Sequence, residues 1–305
     1  MKTVILNEHP ELFRGCAAPG RRMTDALMEL FSTADKYKWR AQCASGVRLD
    51  FFTDSAEMEY LLVFGKPVRK VFTSDIFVDG ERFTVDGEGP HLLQFAPGRK
   101  HIVIHLPHLV VLEDIGLKIA DDAVIEAASA PAGRLLFCGD SIMQGMTTST
   151  PANALVPLTA AALKMDFINT SVGGAKMSAE HIKLTMEFPG DVLIMALGVN
   201  DALHKVSYDE FRSKTEAVLA AMAEFTGKKL VVLPIPNVAA STPDLAVYRE
   251  IIRFVVSQYP QIAVLDGYEF FPAVPELYID NTHPNDIGSK IYARALIGAL
   301  EKLRG

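Results

Sequence analysis

The chain is poor in cysteine. It has three in 305 residues, Cys16, Cys43 and Cys138, with no CxxC spacing. That excludes a disulfide framework and reads as reduced thiols, so the cytoplasm is the expected compartment. Long apolar runs are missing too. The first, Val4 to Leu6, is far too short for a signal-peptide core, and no window approaches a membrane span, so no membrane partner is expected. Nor is there a basic run. The 30 Lys and Arg stand against 37 Asp and Glu, a net charge of −7, which argues against a nucleic-acid or anionic-membrane partner. Repeats and low-complexity tracts are absent. What remains is a globular composition, 49 % hydrophobic and 22 % charged, at a length that accommodates two cores. Oligomeric state is not legible.

The two halves differ in periodicity. Up to about residue 128 the signals are β. Val47, Leu49 and Phe51 alternate with Arg48 and Asp50, the pattern of a half-buried strand. Met58 to Phe64, HIVIHL and VVLEDIGLKI add further strands, with Asp79-Gly80 and Asp86-Gly87 as hairpin-type turns. Many short strands predict an antiparallel β-sandwich, jelly-roll-like, over residues 1–128. The small, Pro- and Gly-containing stretch Ala127–Gly133 reads as a linker. Over residues 133–305 short apolar strands alternate with helical patterns. The strands are Leu135–Cys138, Phe167–Ile168, Val192–Leu197, Leu230–Leu233 and Ile262–Leu265, apolar throughout as strands covered on both faces should be. Ser207 and Glu210 form a capping-box pair, followed by Phe211, Val218, Leu219, Met222 and Phe225 on one helical face. A last helix is expected from about Pro284. This alternation predicts an α/β domain with a five-stranded parallel sheet, whose ligands bind beyond the carboxyl ends of the strands.

Polar residues cluster at those ends. The first strand runs into Gly139-Asp140-Ser141, where the chain turns and a hydroxyl would be exposed; taken singly, such a Ser is more often a helix cap than a nucleophile. The second runs into Asn169–Gly174, whose paired glycines let a backbone N–H approach a ligand, or form a plain loop. The third runs into Gly198-Val199-Asn200-Asp201, an oxyanion donor or an ordinary Asn-Asp turn. Before the last helix stand Asp280 and His283, a base with its orienting carboxylate, or a surface loop with a solvated His. Each bland reading is reasonable singly. All four sites falling where the fold class puts chemistry is what favours the functional one.

GDS at 139–141, the stretch ending at Gly174, GVND at 198–201 and DNTH at 280–283 occur in this order, and residues 133–305 thereby resemble the SGNH (GDSL-type) hydrolases. The resemblance implies a flavodoxin-like hydrolase domain, a catalytic triad of Ser141, His283 and Asp280, and an oxyanion hole of the Ser141 and Gly174 backbone N–H groups with the Asn200 side chain. The α/β-hydrolase alternative expects G-x-S-x-G, and Met143 stands at its second glycine. The N-terminal half resembles the jelly-roll module preceding some carbohydrate-directed esterases of this kind.

The function expected is a serine esterase acting on acetyl or short acyl esters, on a carbohydrate-like alcohol, with no cofactor and no metal. The small, polar loop Met143–Asn153 suggests modest space at the nucleophile. A lipase or thioesterase, an acyltransferase with the same triad, and a non-catalytic carbohydrate-binding protein are the alternatives. His101, His105 and His108 lack further ligands at metal spacing and read as solvent-facing strand residues. Cys138 reads as inert core, Trp39 as packing, and Asp201 and His204 as pocket-lining or plain loop residues.

Overall fold

A computed structural model describes residues 1–238 and 245–304. It divides into two compact units. The first comprises Met1–Met28, Ser32–Ala130 and Ser149–Ala152; the second comprises Glu29–Phe31, Pro131–Thr148 and Asn153–Gly305.

The first unit is built from strands β1 (Lys2–Val4), β2 (Phe13–Arg14), β3 (Arg48–Thr53), β4 (Glu57–Pro67), β5 (Thr73–Val78), β6 (Glu81–Asp86), β7 (Gly89–Gln94), β8 (Lys100–His105), β9 (Val110–Ile119) and β10 (Ile125–Ala127). They form two antiparallel sheets, ordered β1-β9-β4-β7 and β10-β3-β8-β5-β6, with β2 paired to β3. Alternate residues from both sheets, including Leu49 and Phe51, Met58, Tyr60 and Leu62, Ile102 and Ile104, and Leu117 and Ile119, fill one core. This is the expected β-sandwich, and period-two patterning produces it.

Three details depart from the sequence reading. Strand β3 is covered on both faces, not one. Arg48 and Asp50 are buried, and Asp50 Oδ1 lies 2.7 Å from His101 Nε2; partnered charges tolerate burial that lone ones do not. Asp79 and Gly80, with φ of 50° and 90°, do make the two-residue hairpin between β5 and β6. Asp86-Gly87 does not make a second one, because β6 and β7 belong to different sheets. Finally, helices α1 (Asp25–Leu30) and α2 (Asp35–Gln42) interrupt the β half. Helix α2 buries only Ala41 and has no side-chain cap, so neither its periodicity nor its boundary announces it.

The histidines also differ from expectation. His101 is half-buried on Asp50, His105 sits edge-on against Phe77, and His108 is buried. Burial, reinforced by Arg48, pushes the His105 pKa down to about 3. Among the described residues, no group of three or more His, Cys, Asp or Glu is placed to hold a metal ion.

The second unit contains β11 (Arg134–Gly139), β12 (Asp166–Asn169), β13 (Val192–Ala196), β14 (Lys228–Leu233) and β15 (Ala263–Asp266). All neighbours are parallel, in the order β12-β11-β13-β14-β15. This is the flavodoxin-like order, whose switch point lies between the first and third strands, here β11 and β13. The helices are α3 (Ser141–Gln144), α4 (Leu155–Leu163), α5 (Ala179–Met186), α6 (Val199–Leu203), α7 (Tyr208–Ala223), α8 (Leu245–Val256), α9 (Gly267–Phe270) and α10 (Asp286–Arg304). Helices α4 and α10 pack together over a core of Leu135, Phe137, Ile194, Leu230 and Val232, while α7 packs on α5 and α8. At the start of α7, Ser207 Oγ accepts the Glu210 N–H, but the Glu210 carboxylate takes Lys214 instead of reaching back, so half of the capping box forms. No described helix is long and apolar enough to cross a membrane.

Candidate active site

Strand β11 delivers the chain to the switch point. A Cβ on Gly139 would stand 2.8 Å or less from the Cβ and Cγ of Met143. The tight exit from the strand therefore requires glycine. Asp140 is the N-cap of α3, its Oδ1 accepting the Ile142 N–H at 2.9 Å. The capping role that a Ser in this turn would ordinarily play thus falls to Asp140. Ser141 is the first helical residue, and its hydroxyl is available for another partner. Burial, with Asp201 acting in the same direction, pushes the Asp140 carboxyl up to about 7.

That other partner is His283. Ser141 Oγ lies 2.7 Å from His283 Nε2. His283 Nδ1 lies 2.9 and 2.8 Å from the two Asp280 oxygens. An ionised carboxylate can only accept, so Nδ1 carries the proton and Nε2 faces the hydroxyl as an acceptor. The segment is a tight loop closed by the Tyr278–Pro284 bridge, not a helical turn. Asp280 Oδ1 also accepts the backbone N–H groups of Thr282 and His283, both at 2.8 Å. Burial works to raise the Asp280 pKa, but those N–H donors and the adjacent imidazole outweigh it and hold the carboxyl below its usual value. Helix α10 starts at Asp286, two residues beyond Pro284, because Asn285 caps it through Ile287 and Gly288.

Beyond β12, the Ala175 N–H bonds the Val172 carbonyl at 2.9 Å. Gly174 is the third residue of that turn, with φ of 88°, the conformation a type II turn demands and glycine supplies. Beyond β13, the nearly buried Asn200 donates from Nδ2 to the Ala175 carbonyl at 3.0 Å. Ser141, His283 and Asp280 thus form one hydrogen-bonded chain, and Asn200 binds the residue after Gly174. His204 is exposed, its Nδ1 2.7 Å from the Asn200 carbonyl. Cys138 is buried and its thiol pKa is pushed up to about 12 by that burial, and Trp39 is half-buried on α2.

Three residues not singled out as site residues tie these segments together. Gln144 Oε1 accepts the Gly173 N–H at 2.7 Å. Asn169 Nδ2 donates to the Met143 carbonyl at 3.0 Å, while its Oδ1 accepts the Ser171 N–H at 3.1 Å. Asp201 is fully buried, neither lining a pocket nor a plain loop residue, and takes the Met177 N–H at 2.9 Å. Burial raises its pKa. Asn169 and Asp201 stand inside the motif stretches and Gln144 just beyond one, but a polar side chain does not name its partner.

The chain can be compared with known proteins on this geometry. Residues 137–291 match the GDSL-like lipase/acylhydrolase family. No curated protein matches. Among solved structures, the chain is similar to a GDSL-like lipase from Bacteroides ovatus (TM-score 0.83, 17 % identity, 99 % of this chain and 98 % of that one). It is also similar to a salicylyl-acyltransferase from a tetracycline biosynthetic pathway (0.78, 21 %, 96 % and 94 %). A family two carbohydrate esterase from Clostridium thermocellum, solved with cellohexaose, aligns at 0.66 and 15 % identity, over 85 % of this chain and 93 % of that one. At these identities the three share its fold. With the family signature spanning half of the sequence, the chain belongs to the GDSL-like lipase/acylhydrolase family and is an ester-hydrolysing enzyme.

Proposed function

We propose that the protein is a serine esterase that removes acetyl or other short acyl groups from a carbohydrate-like alcohol. The observation that carries the mechanism is the unbroken chain Ser141 Oγ–His283 Nε2, His283 Nδ1–Asp280, with contacts of 2.7 to 2.9 Å. Ser141 Oγ attacks the ester carbonyl carbon while its proton passes to His283 Nε2, and Asp280 stabilises the imidazolium that results. The carbonyl oxygen becomes an oxyanion, received by the N–H groups of Ser141 and Gly174 and by Asn200 Nδ2. One Nδ2 hydrogen is held by Ala175, which leaves the second for the oxyanion. Collapse breaks the ester C–O bond, and His283 returns the proton to the leaving alkoxide. Water then attacks the acyl-Ser141 intermediate by the same steps in reverse, releasing the acid.

The substrate class rests on the small, polar loop after the nucleophile and on the similarity to carbohydrate esterases. The test is a panel of acetylated sugars, longer acyl esters and acyl thioesters, run with wild type and Ser141→Ala. Turnover fastest on acetylated sugars and abolished in Ser141→Ala supports the reading. Full activity in Ser141→Ala would sink the mechanism, and preference for long acyl chains would sink the substrate class. The similarity over nearly the whole chain to an acyltransferase makes acyl transfer worth measuring in the same assay. The acyl-enzyme would serve a sugar alcohol as well as water, and esterified acceptor among the products would reveal it.

A further inference from the structure

Two backbone donors can meet one oxyanion only if they are held at a fixed separation. Ser141 N–H belongs to α3, which has only four residues. A helix that short cannot hold itself in place through its own ladder. Gly174 N–H belongs to the central peptide of the Val172–Ala175 turn. Types I and II differ mainly in which way that central peptide faces, so the turn's conformation decides whether the N–H points toward an oxyanion or away.

Two buried carboxamides join these pieces. From α3, the Gln144 side-chain carbonyl accepts the Gly173 N–H at 2.7 Å. From the end of β12, Asn169 Nδ2 donates to the Met143 carbonyl at 3.0 Å. Gln144 is 1 % exposed and Asn169 2 %, so water does not compete for either bond. Gly173 N–H lies one peptide before the Gly174 N–H, and Gln144 stands three residues after Ser141. Its side chain therefore spans directly from the nucleophile helix to the peptide preceding the second oxyanion donor.

We infer that Gln144 is a positioning residue of the reaction: its side-chain carbonyl fixes the Val172–Ala175 turn to the nucleophile helix and so sets the separation and facing of the two backbone oxyanion donors. The inference rests on the catalytic reading above and extends it to a residue that touches neither the ester nor the reacting atoms. An oxyanion exists only in the transition state and tetrahedral intermediate. A displaced donor therefore lowers kcat and leaves ground-state binding intact.

Gln144→Met keeps the length of the side chain and removes the acceptor. On a 4-nitrophenyl acetate assay its kcat should fall about 10–100-fold with KM within about threefold. Amide exchange should quicken at Gly173 and Gly174 while β11 and β13 amides keep their protection. Gly173→Pro removes the same hydrogen bond from the donor side, at the turn position where proline is favoured. Combining it with Gln144→Met should cost less than the sum of the two changes, because both delete the Gln144–Gly173 bond. Gln144→Met with kcat within about twofold of wild type, or additive losses in the double variant, would overturn the inference. So would a rise in KM that accounts for the loss. If Gln144→Met loses protection in β11 and β13, Gly173→Pro carries the decision. Ser141→Ala, run alongside, separates the two levels: activity there sinks the catalytic reading, whereas an inactive Ser141→Ala beside an unimpaired Gln144→Met sinks only the role of Gln144.

Discussion

Gly174 combines a positive φ with the backbone N–H proposed to meet the oxyanion. With φ at 88°, a side chain there costs about 1–2 kcal/mol, a strain relieved by flipping the central peptide of the turn. Gly174→Ala should therefore lose kcat about 10-fold or more on a short acyl ester while remaining folded; unchanged kcat would show that this N–H does not meet the oxyanion. Asn200→Ala deletes a side-chain donor outright and should cost ~10²–10³ in turnover, with KM the control. Asp140 permits a different test. Its carboxyl is held up near 7 by burial and by Asp201, so the folded state binds its proton more tightly than the unfolded chain, whose Asp titrates at about 4. That mismatch costs stability increasingly as pH rises from about 4 to about 7, and the cost persists above. Asn caps helices as well as Asp does, so Asp140→Asn should gain Tm relative to wild type across that window and hold the gain at higher pH. A Tm difference that does not change with pH would refute the shift.

At the scale of elements, what was legible and what was not divides along a physical line. Four of the five parallel strands announced themselves because burial on both faces forces near-continuous apolar runs such as Leu135–Cys138 and Val192–Ala196; the edge strand β15 carries the same apolar pattern although Val264 is exposed rather than covered. The motif residues followed because the sheet places them at strand ends. Side-chain ties across sequence were not legible: Gln144 reaches Gly173 over 29 positions and Asp201 reaches Met177 over 24, and a polar residue carries no periodicity that names its partner. Helix α2 escaped because it is polar and uncapped. The buried faces of β3 escaped because Arg48 and Asp50 look like solvent residues until their partners are known.

Asp75 on β5 belongs to the same hidden class. It is fully buried, and its Oδ1 accepts from Arg82 (3.0 and 2.8 Å) and Thr84 (2.8 Å) while Oδ2 accepts the Ala152 N–H at 2.7 Å. Burial tends to raise its pKa, but the Ala152, Thr84 and Arg82 donors prevail and hold it low. Asp75→Ala takes one acceptor from Arg82 and leaves the buried Ala152 N–H without its carboxylate, and should destabilise the first unit by about 3 kcal/mol. The folded pKa lies below the unfolded one, so the contribution is full above about pH 4 and fades as pH falls through the depressed value. The Tm gap between wild type and Asp75→Ala should therefore narrow in acid. A gap that stays constant or widens there would contradict the assignment.

At the scale of the molecule, each unit has apolar core of its own, between the sheets of the β-sandwich in the first and against the parallel sheet in the second. Cooperative, all-or-none unfolding is a property of a single core and is not expected of 305 residues organised in this way. The sequence happens to supply a probe for each. The single tryptophan, Trp39, lies with α2 in the first unit, and helices α3 to α10 all lie in the second. Tryptophan fluorescence therefore follows the β-sandwich unit, and helical ellipticity follows the α/β unit. In a urea titration the two curves should have different midpoints. The same reasoning fixes what Asp75→Ala does to them: its bonds all lie within the first unit, so the fluorescence midpoint should move to lower urea while the ellipticity midpoint stays nearly fixed. Coincident curves that shift together would mean that the two cores fold as one cooperative body. The roughly 3 kcal/mol removed at Asp75 would then be felt equally at Ser141.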